Sequence, residues 1–507
     1  MLPRHFLAVR PLSLLLAMAA CGRGASTASV STPAPDGAPP ALAAITDGDL
    51  RRDLLALAGD SMRGREAGTL DELRASVWVA DRAREAGLLP AGDDGTYFQF
   101  WPMRRIRVAS ASRVVVNGAP LALWRETAVL APVSAAVDAP IVFVGPGTEA
   151  ELAKVDIRGK AVAAVLSAPA APPPPGMSLR NYRYTLAALR ERSAFLAERG
   201  AAAVLLVSDS VAEPQFDYAA TVLARGRYNV DSAGTDQLPP APPTLWVRRA
   251  LLDRLRAPGA RLTAQVQVES YIYPSVNVVA AVPGRDAAVR GEYVLFSGHQ
   301  DHDGVRFPVD GDSIWNGADD NATISVALLA IGRAFARAPA RRSALFVWHG
   351  AEERGLLGSR WYVAHPTVPR GSIVAVLNGD MIGRNHPDTA ALLGVQPPHR
   401  NSPALVAAAY AANARTARFA IDTTWDRVSH PEGWYFRSDH LPYARAGIPA
   451  IFFTTLLHAD YHTPRDEPSR IDVAKLTRVT QWMYATGWSV ATAPERPAVE
   501  PGFKLER

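Results

Sequence analysis

Cysteine is almost absent from this 507-residue chain: Cys21 is the only one, so no disulfide within it can close a loop or staple a small core. Basic runs are missing as well. The net charge of +5 and the pI near 9.3 come almost entirely from arginines scattered among carboxylates. Pairs such as Arg51-Arg52 and Arg341-Arg342 read as solvated positions, and no basic stripe is interleaved with aromatics, so a nucleic-acid partner has little support and none is expected. No apolar stretch beyond the N-terminus has the length of a membrane span. Histidine is absent from 107–272, which removes that block from any search for an imidazole-based site. What remains is an ordinary globular composition, 48% hydrophobic and 20% charged, in a chain long enough for more than one folding unit.

The N-terminus reads as an export signal. Arg4 and Arg10 precede a short apolar run, Leu12 to Ala20, that is too short to span a bilayer. It ends Met18-Ala19-Ala20-Cys21, which resembles the lipobox of bacterial lipoproteins, with Met18 in place of the more usual Leu. That resemblance implies lipidation at Cys21, an exported protein on the periplasmic or outer surface, and membrane contact through the lipid alone. The alternative is an ordinary secretory signal that happens to contain a cysteine. Residues 1–21 are thus expected to be the signal and 22–44, rich in Ser, Thr, Ala, Pro and Gly, a flexible linker.

From Asp47 to about Gly87 apolar residues recur at helical spacing. Between about Arg107 and Tyr271 come short apolar segments split by Pro-rich loops, which predict a small β-rich domain with one helix near Leu189 to Arg199. From Val276 onward strands and helices alternate. Tyr293 to Ser297, Ser343 to Trp348, Ile373 to Leu377 and Pro449 to Phe453 read as buried strands. Ala322 to Ala336, Leu356 to Ala364, Pro403 to Ala414 and Ile471 to Val490 read as helices. This predicts an α/β fold with a mostly parallel sheet sandwiched by helices. The expected divisions are 45–106 and 273–495 for the body, 107–272 for an inserted β-rich domain and 496–507 for a tail.

Five short segments carry metal-ligand side chains: His299-Gln300-Asp301, Gly317 to Asn321, Glu352-Glu353, Asn378-Gly379-Asp380 and Tyr461-His462. Singly each has a bland explanation, such as a surface pair, a helix cap or a loop residue. Together they hold two imidazoles, a carboxylate able to bridge, two terminal carboxylates and a spare glutamate, an inventory suited to hydrolysis by metal-activated water. Several follow apolar strands directly, where open α/β sheets gather ligands. Asp301, two residues after His299, reads as the carboxylate that orients that imidazole. Asp320 is assigned the bridge, with Asp319 the fallback. Of Glu352 and Glu353, one can bind metal while the other faces water. His302, His349, His440 and His458 compete for ligand roles and spacing does not exclude them. Mixed N and O donors without thiolate fit zinc best, with manganese and cobalt compatible.

These segments occur in the order of, and resemble, the co-catalytic (dinuclear) zinc peptidase family of bacterial aminopeptidases and glutamate carboxypeptidases. Glu352-Glu353-Arg354-Gly355-Leu356-Leu357-Gly358-Ser359 is the most specific piece. Lys154 to Val162 and Gly200 to Leu205 resemble the protease-associated domain often inserted in that family. The resemblance implies two Zn2+ per chain, with His299 and Asp380 on one ion, Glu353 and His462 on the other and Asp320 between them. It implies Glu352 as general base, Asp301 as the partner of His299, and Tyr461 as a stabiliser of the tetrahedral intermediate. His349 departs from the family pattern. Expected substrates are peptides cut at a chain end, more often the amino end. A carboxypeptidase or dipeptidase, a glutaminyl cyclase and a non-enzymatic lipid-anchored binding protein are the alternatives. Oligomeric state is not encoded in any motif.

Overall fold

The computed structural model describes residues 39–167, 179–232, 234, 238 and 240–506. The export signal, Cys21 and most of the expected linker lie outside the described residues. Ala41, Ala44 and Ile45 are buried against the main core, so the ordered body starts before the composition changes.

The strands that organise the molecule are runs buried on both faces. Tyr293–His299, Ser343–His349, Ile373–Gly379 and Ala450–Thr454 carry almost continuous apolar sequence, the mark of strands covered above and below. They lie side by side in the order Ala450–Thr454, Ile373–Gly379, Tyr293–His299, Ser343–His349, all parallel. The margins of this ten-stranded sheet are mixed. Thr389–Leu393 runs antiparallel to Ala450–Thr454, and Val268–Val282 antiparallel to Ser343–His349. The parallel character expected from strand–helix alternation therefore belongs to the sheet's centre. It returns at one edge, where Ala420–Asp422 runs parallel to Thr389–Leu393 with helix Pro403–Arg415 between them in the chain, whereas the other margin is built of antiparallel ladders.

Helices cover both faces. On one side Asp47–Leu57, Leu70–Glu85, Thr323–Arg337, Pro403–Arg415 and Val473–Thr492 pack into the largest apolar cluster. Thr46, Thr69, Ser402 and Asp472 cap four of these helices by accepting backbone N–H groups, satisfying donors that a helix start leaves open. On the other side Tyr362 of Leu357–Ala364 and Tyr443 of His440–Arg445 close a second cluster.

Phe98–Val108 and Val268–Val282 form one long antiparallel ladder, from Phe98 opposite Val278 to Val108 opposite Val268. It carries the chain out of the central sheet and back, so the breaks expected at 106/107 and 272/273 fall inside a continuous ladder. The segment between forms a separate eight-stranded sheet with helices Leu179–Glu198 and Phe216–Arg225 packed on it. It holds more helix than its Pro-rich loops suggest. Arg227–Val230 returns to pair with Phe98–Val108, tying the insert to the edge of the main sheet. The expected tail also packs down: Glu500 pairs with Arg400, and Glu506 Oε1 lies 2.8 Å from His399 Nε2.

Candidate metal centre

Because the four central strands are parallel, their carboxyl ends share one edge, and the chemistry collects there. His299 is the last residue of its strand. Asp380 directly follows Ile373–Gly379. Glu352 and Glu353 follow Ser343–His349 through a tight turn whose flanking residues Ala351 (φ 55°) and Leu356 (φ 58°) take left-handed backbone. Asp320 lies in the turn leading into Thr323–Arg337, and His462 in the loop beyond Ala450–Thr454.

Two groups of donors result, and Asp320 joins them. In the first, His299 Nε2 lies 3.3 Å from Asp320 Oδ1, 3.6 Å from Asp380 Oδ2 and 3.8 Å from Glu352 Oε2. In the second, His462 Nε2 lies 3.0 Å from Asp320 Oδ2 and 3.1 Å from Glu353 Oε1, while His302 Nδ1 is 2.9 Å from the same Glu353 oxygen. The two oxygens of Asp320 thus face different groups. His299 Nε2, Glu353 Oε1 and His462 Nε2 are buried and have no hydrogen-bond partner among the described residues. Buried polar atoms are rarely left so, and these point at shared centres instead of at one another. Imidazole and carboxylate donors so arranged fit two divalent ions.

The remaining carboxylates orient this set. The carbonyl oxygen of Asp301 is 3.0 Å from His299 Nδ1, whereas its carboxylate stands 3.8 Å from that ring and accepts the backbone N–H groups of Glu352 and Glu353. Asp301 therefore holds His299 through its main chain and the glutamate turn through its side chain, a division of labour the His-x-Asp spacing does not reveal. Asp303 Oδ2, 3.2 Å from His462 Nδ1, performs for His462 the service expected of Asp301. Sequence reasoning missed it, although a second acidic residue two positions past Asp301 was a signal. Asp319 turns away: it accepts the Gly383 N–H and approaches His458 Nε2 at 3.3 Å, so the bridging geometry belongs to Asp320. Asp466 accepts the N–H groups of both Asp319 and Asp320. A chain of hydrogen bonds, Ser297 to Asn378 to Ser438 to Asp380, fixes the carboxylate of Asp380.

Among the competing histidines, only His302 joins a donor group. His349 sits behind the site with Nε2 3.1 Å from the Tyr443 hydroxyl, and burial depresses it to about 3. His440 is likewise buried, between Tyr435 and Phe452, and depressed to about 3. Beneath the site the fully buried guanidinium of Arg65 donates to the carbonyls of Leu57, Gln300, Asn316 and Gly317, locking together the turns that carry His299, His302 and Asp320.

The adjacent glutamates are driven apart. Burial pushes Glu352 well above its ordinary carboxylate range; His299 opposes the rise, while Glu353, Asp380 and Asp439 add to it. For Glu353 burial acts in the same direction, but His462 and His302 outweigh it and hold the group well down. Such a split is how one pair of like groups divides ligand and proton-transfer work. Asp439, also buried, is raised to about 7 chiefly by burial.

Above this donor cluster the insert forms a roof. A cavity of about 360 Å³ is bounded by Glu352, Glu353, Arg437, Tyr461 and His462 below and by Tyr182, Arg183, Tyr218 and Val222 above. It continues into a larger space of about 820 Å³ past Phe307 and Leu457. Tyr461 packs on the His462 ring at 4.1 Å, and its hydroxyl accepts from Arg437 at 3.2 Å.

A parallel-centred α/β sheet carries a carboxylate–imidazole cluster at its strand ends, roofed by the inserted segment. Residues 277–486 match the model of peptidase family M28. A probable leucine aminopeptidase of Trichophyton verrucosum is 27% identical over 241 residues, covering 45% of this chain and 62% of the relative. Aminopeptidase YwaD of Bacillus subtilis is 29% identical over 188 residues, 36% of this chain and 39% of that one. The chain thus spans less than two thirds of the length of the curated relatives it matches. In fold, the aminopeptidase from Aneurinibacillus sp. strain AM-1 is similar over 91% of this chain and 97% of its own, with a TM-score of 0.57 at 19% identity.

Proposed function

We propose that the protein is an exported, zinc-dependent aminopeptidase that releases N-terminal residues from peptides. The observation that carries this is the pair of donor groups sharing Asp320, with Glu352 beside the first. Zinc bound there supplies Lewis acidity and lowers the pKa of water from about 15.7 toward 7. Two ions are expected, one held by His299, Asp320 and Asp380 and the other by Asp320, Glu353 and His462. Glu352 takes a proton from the attacking water and returns it to the leaving amine. Tyr461 takes a hydrogen bond from Arg437, so its own O–H is available to the developing oxyanion. The aminopeptidase names of the relatives agree.

One observation favours a second reading, cleavage of dipeptides or from the carboxyl end. Arg183 of the insert and Arg437 of the core share the single carboxylate of Glu432, which leaves positive charge on the cleft wall for a substrate carboxylate. A panel of aminoacyl-arylamides and N-blocked peptides, assayed with and without chelator, decides. Arylamide hydrolysis abolished by chelator supports the aminopeptidase; cleavage confined to N-blocked peptides overturns it. Export and a lipid at Cys21 are supported by the Arg4-to-Cys21 pattern, and mass spectrometry of the purified N-terminus tests both.

A further inference from the structure

The peptidase resemblance supplies two histidines for two ions, and the structure brings a third. His302 is fully buried, yet neither ring nitrogen has a hydrogen-bond partner among the described residues. Burying an imidazole without partners is costly, and the ring has been given its place deliberately. Its main-chain N–H is held by the carbonyl of Arg65 at 3.2 Å. Its flank is made by Gly317, where a Cβ would come within 2.3 Å of the ring. The His462 ring stands edge-on to it at 5.2 Å.

The distances decide what the ring faces. His302 Nδ1 is 2.9 Å from Glu353 Oε1 and 3.9 Å from Asp320 Oδ2, while His462 Nε2 is 3.1 Å and 3.0 Å from those same two oxygens. Zinc–ligand bonds of about 2.0–2.1 Å in a tetrahedron set donors about 3.3 Å apart. These four distances scatter around that edge length, and all four donor atoms lie within 4.8 Å of one another. The first group differs: His299, Asp320 and Asp380 are its donors, and Glu352, the nearest further group, is the base.

We propose that His302 is a metal ligand, the fourth protein donor to the ion held by Asp320, Glu353 and His462. The centre is then asymmetric. An ion on the His302 side would be held by four protein donors, as in structural zinc sites, whereas the His299 side would offer His299, Asp320 and Asp380, next to Glu352. The inference rests on the metallopeptidase reading for the presence of metal, but its test reads ligands and not turnover.

The test is zinc K-edge X-ray absorption on the zinc-loaded full chain, counting imidazoles, with His302→Gln beside it. Circular dichroism confirms that the variant is folded; the wild-type count stands even if it is not. Three imidazoles over two ions in the wild type and two in the variant are expected. Chelator competition should show one ion weakened by about 100-fold or more, beyond the usual effect of losing an outer hydrogen bond to a ligand. Two imidazoles in the wild type, or His302→Gln holding both ions as the wild type does, would overturn the proposal. A wild type that takes up no zinc overturns the metallopeptidase reading with it. Three imidazoles in a protein without peptidase activity sustain the ligand and sink only the activity.

Discussion

Glu352 and Glu353 differ by one position and by almost everything that surrounds them, and the residue scale is where the chemistry is decided. Glu353 lies between two imidazoles, and Glu352 faces the cleft. Glu352→Gln should keep both ions, measured by metal analysis, while kcat falls by about 10²–10⁴-fold, the usual worth of a positioned acid–base group. Near-normal turnover in that variant would remove Glu352 from the mechanism. A second carboxylate makes a prediction about stability. Glu72 is fully buried, hydrogen-bonded to Ser275 and the Gly68 N–H, and raised by burial from 4.5 to about 8. The folded protein therefore holds a proton that the unfolded chain releases above 4.5. The associated stability is complete below pH 4.5 and lost as pH rises through about 8. Denaturant unfolding from pH 5 to 9 should show the wild type losing ground steadily to Glu72→Gln, with a plateau above pH 8. The ligand residues were legible in the sequence because each sits in a short motif at a strand end. His302 and Asp303 were not, because spacing says nothing of the direction in which residues past the strand turn.

At the scale of elements, the parallel strands act by ending together, and the turns after them act by being fixed from behind. Asp466 is the clearest fixing point: its carboxylate accepts the N–H groups of Asp319 and Asp320, and its carbonyl accepts that of Ala318. Asp466→Ala leaves two buried donors unpaired at about 1–3 kcal/mol each. Thermal unfolding should shift down accordingly, and zinc affinity should fall because Asp320 is no longer held. An unchanged melting temperature would show that water replaces the carboxylate. The strands themselves were readable from their unbroken apolar runs, as were the helices that follow them. The antiparallel margins were less so, since Val268–Val282 is half exposed over the insert and buried only where it joins the sheet. The insert's helices were under-read because Pro-rich loops dominate its composition.

At the scale of the whole molecule, the insert and the core make one cleft. Arg183 reaches Glu432 at 2.7 Å, and Arg225 reaches Glu66 at 3.4 Å and the Asp303 carbonyl at 3.0 Å. These contacts join residues far apart in the chain, which is why no motif announced the roof. Arg183→Ala should raise KM for tri- and tetrapeptides about fivefold, equivalent to about 1 kcal/mol, with kcat unchanged in steady-state assays. A fall in kcat instead would mean that the roof positions the catalytic groups and not just the peptide. All of this depends on one claim, that two ions share Asp320. Anomalous diffraction at the zinc edge tests it most directly. Two peaks are expected, one among His299, Asp320 and Asp380 and one among His302, Asp320, Glu353 and His462. A single peak, or a pair with Asp320 outside both, would contradict it.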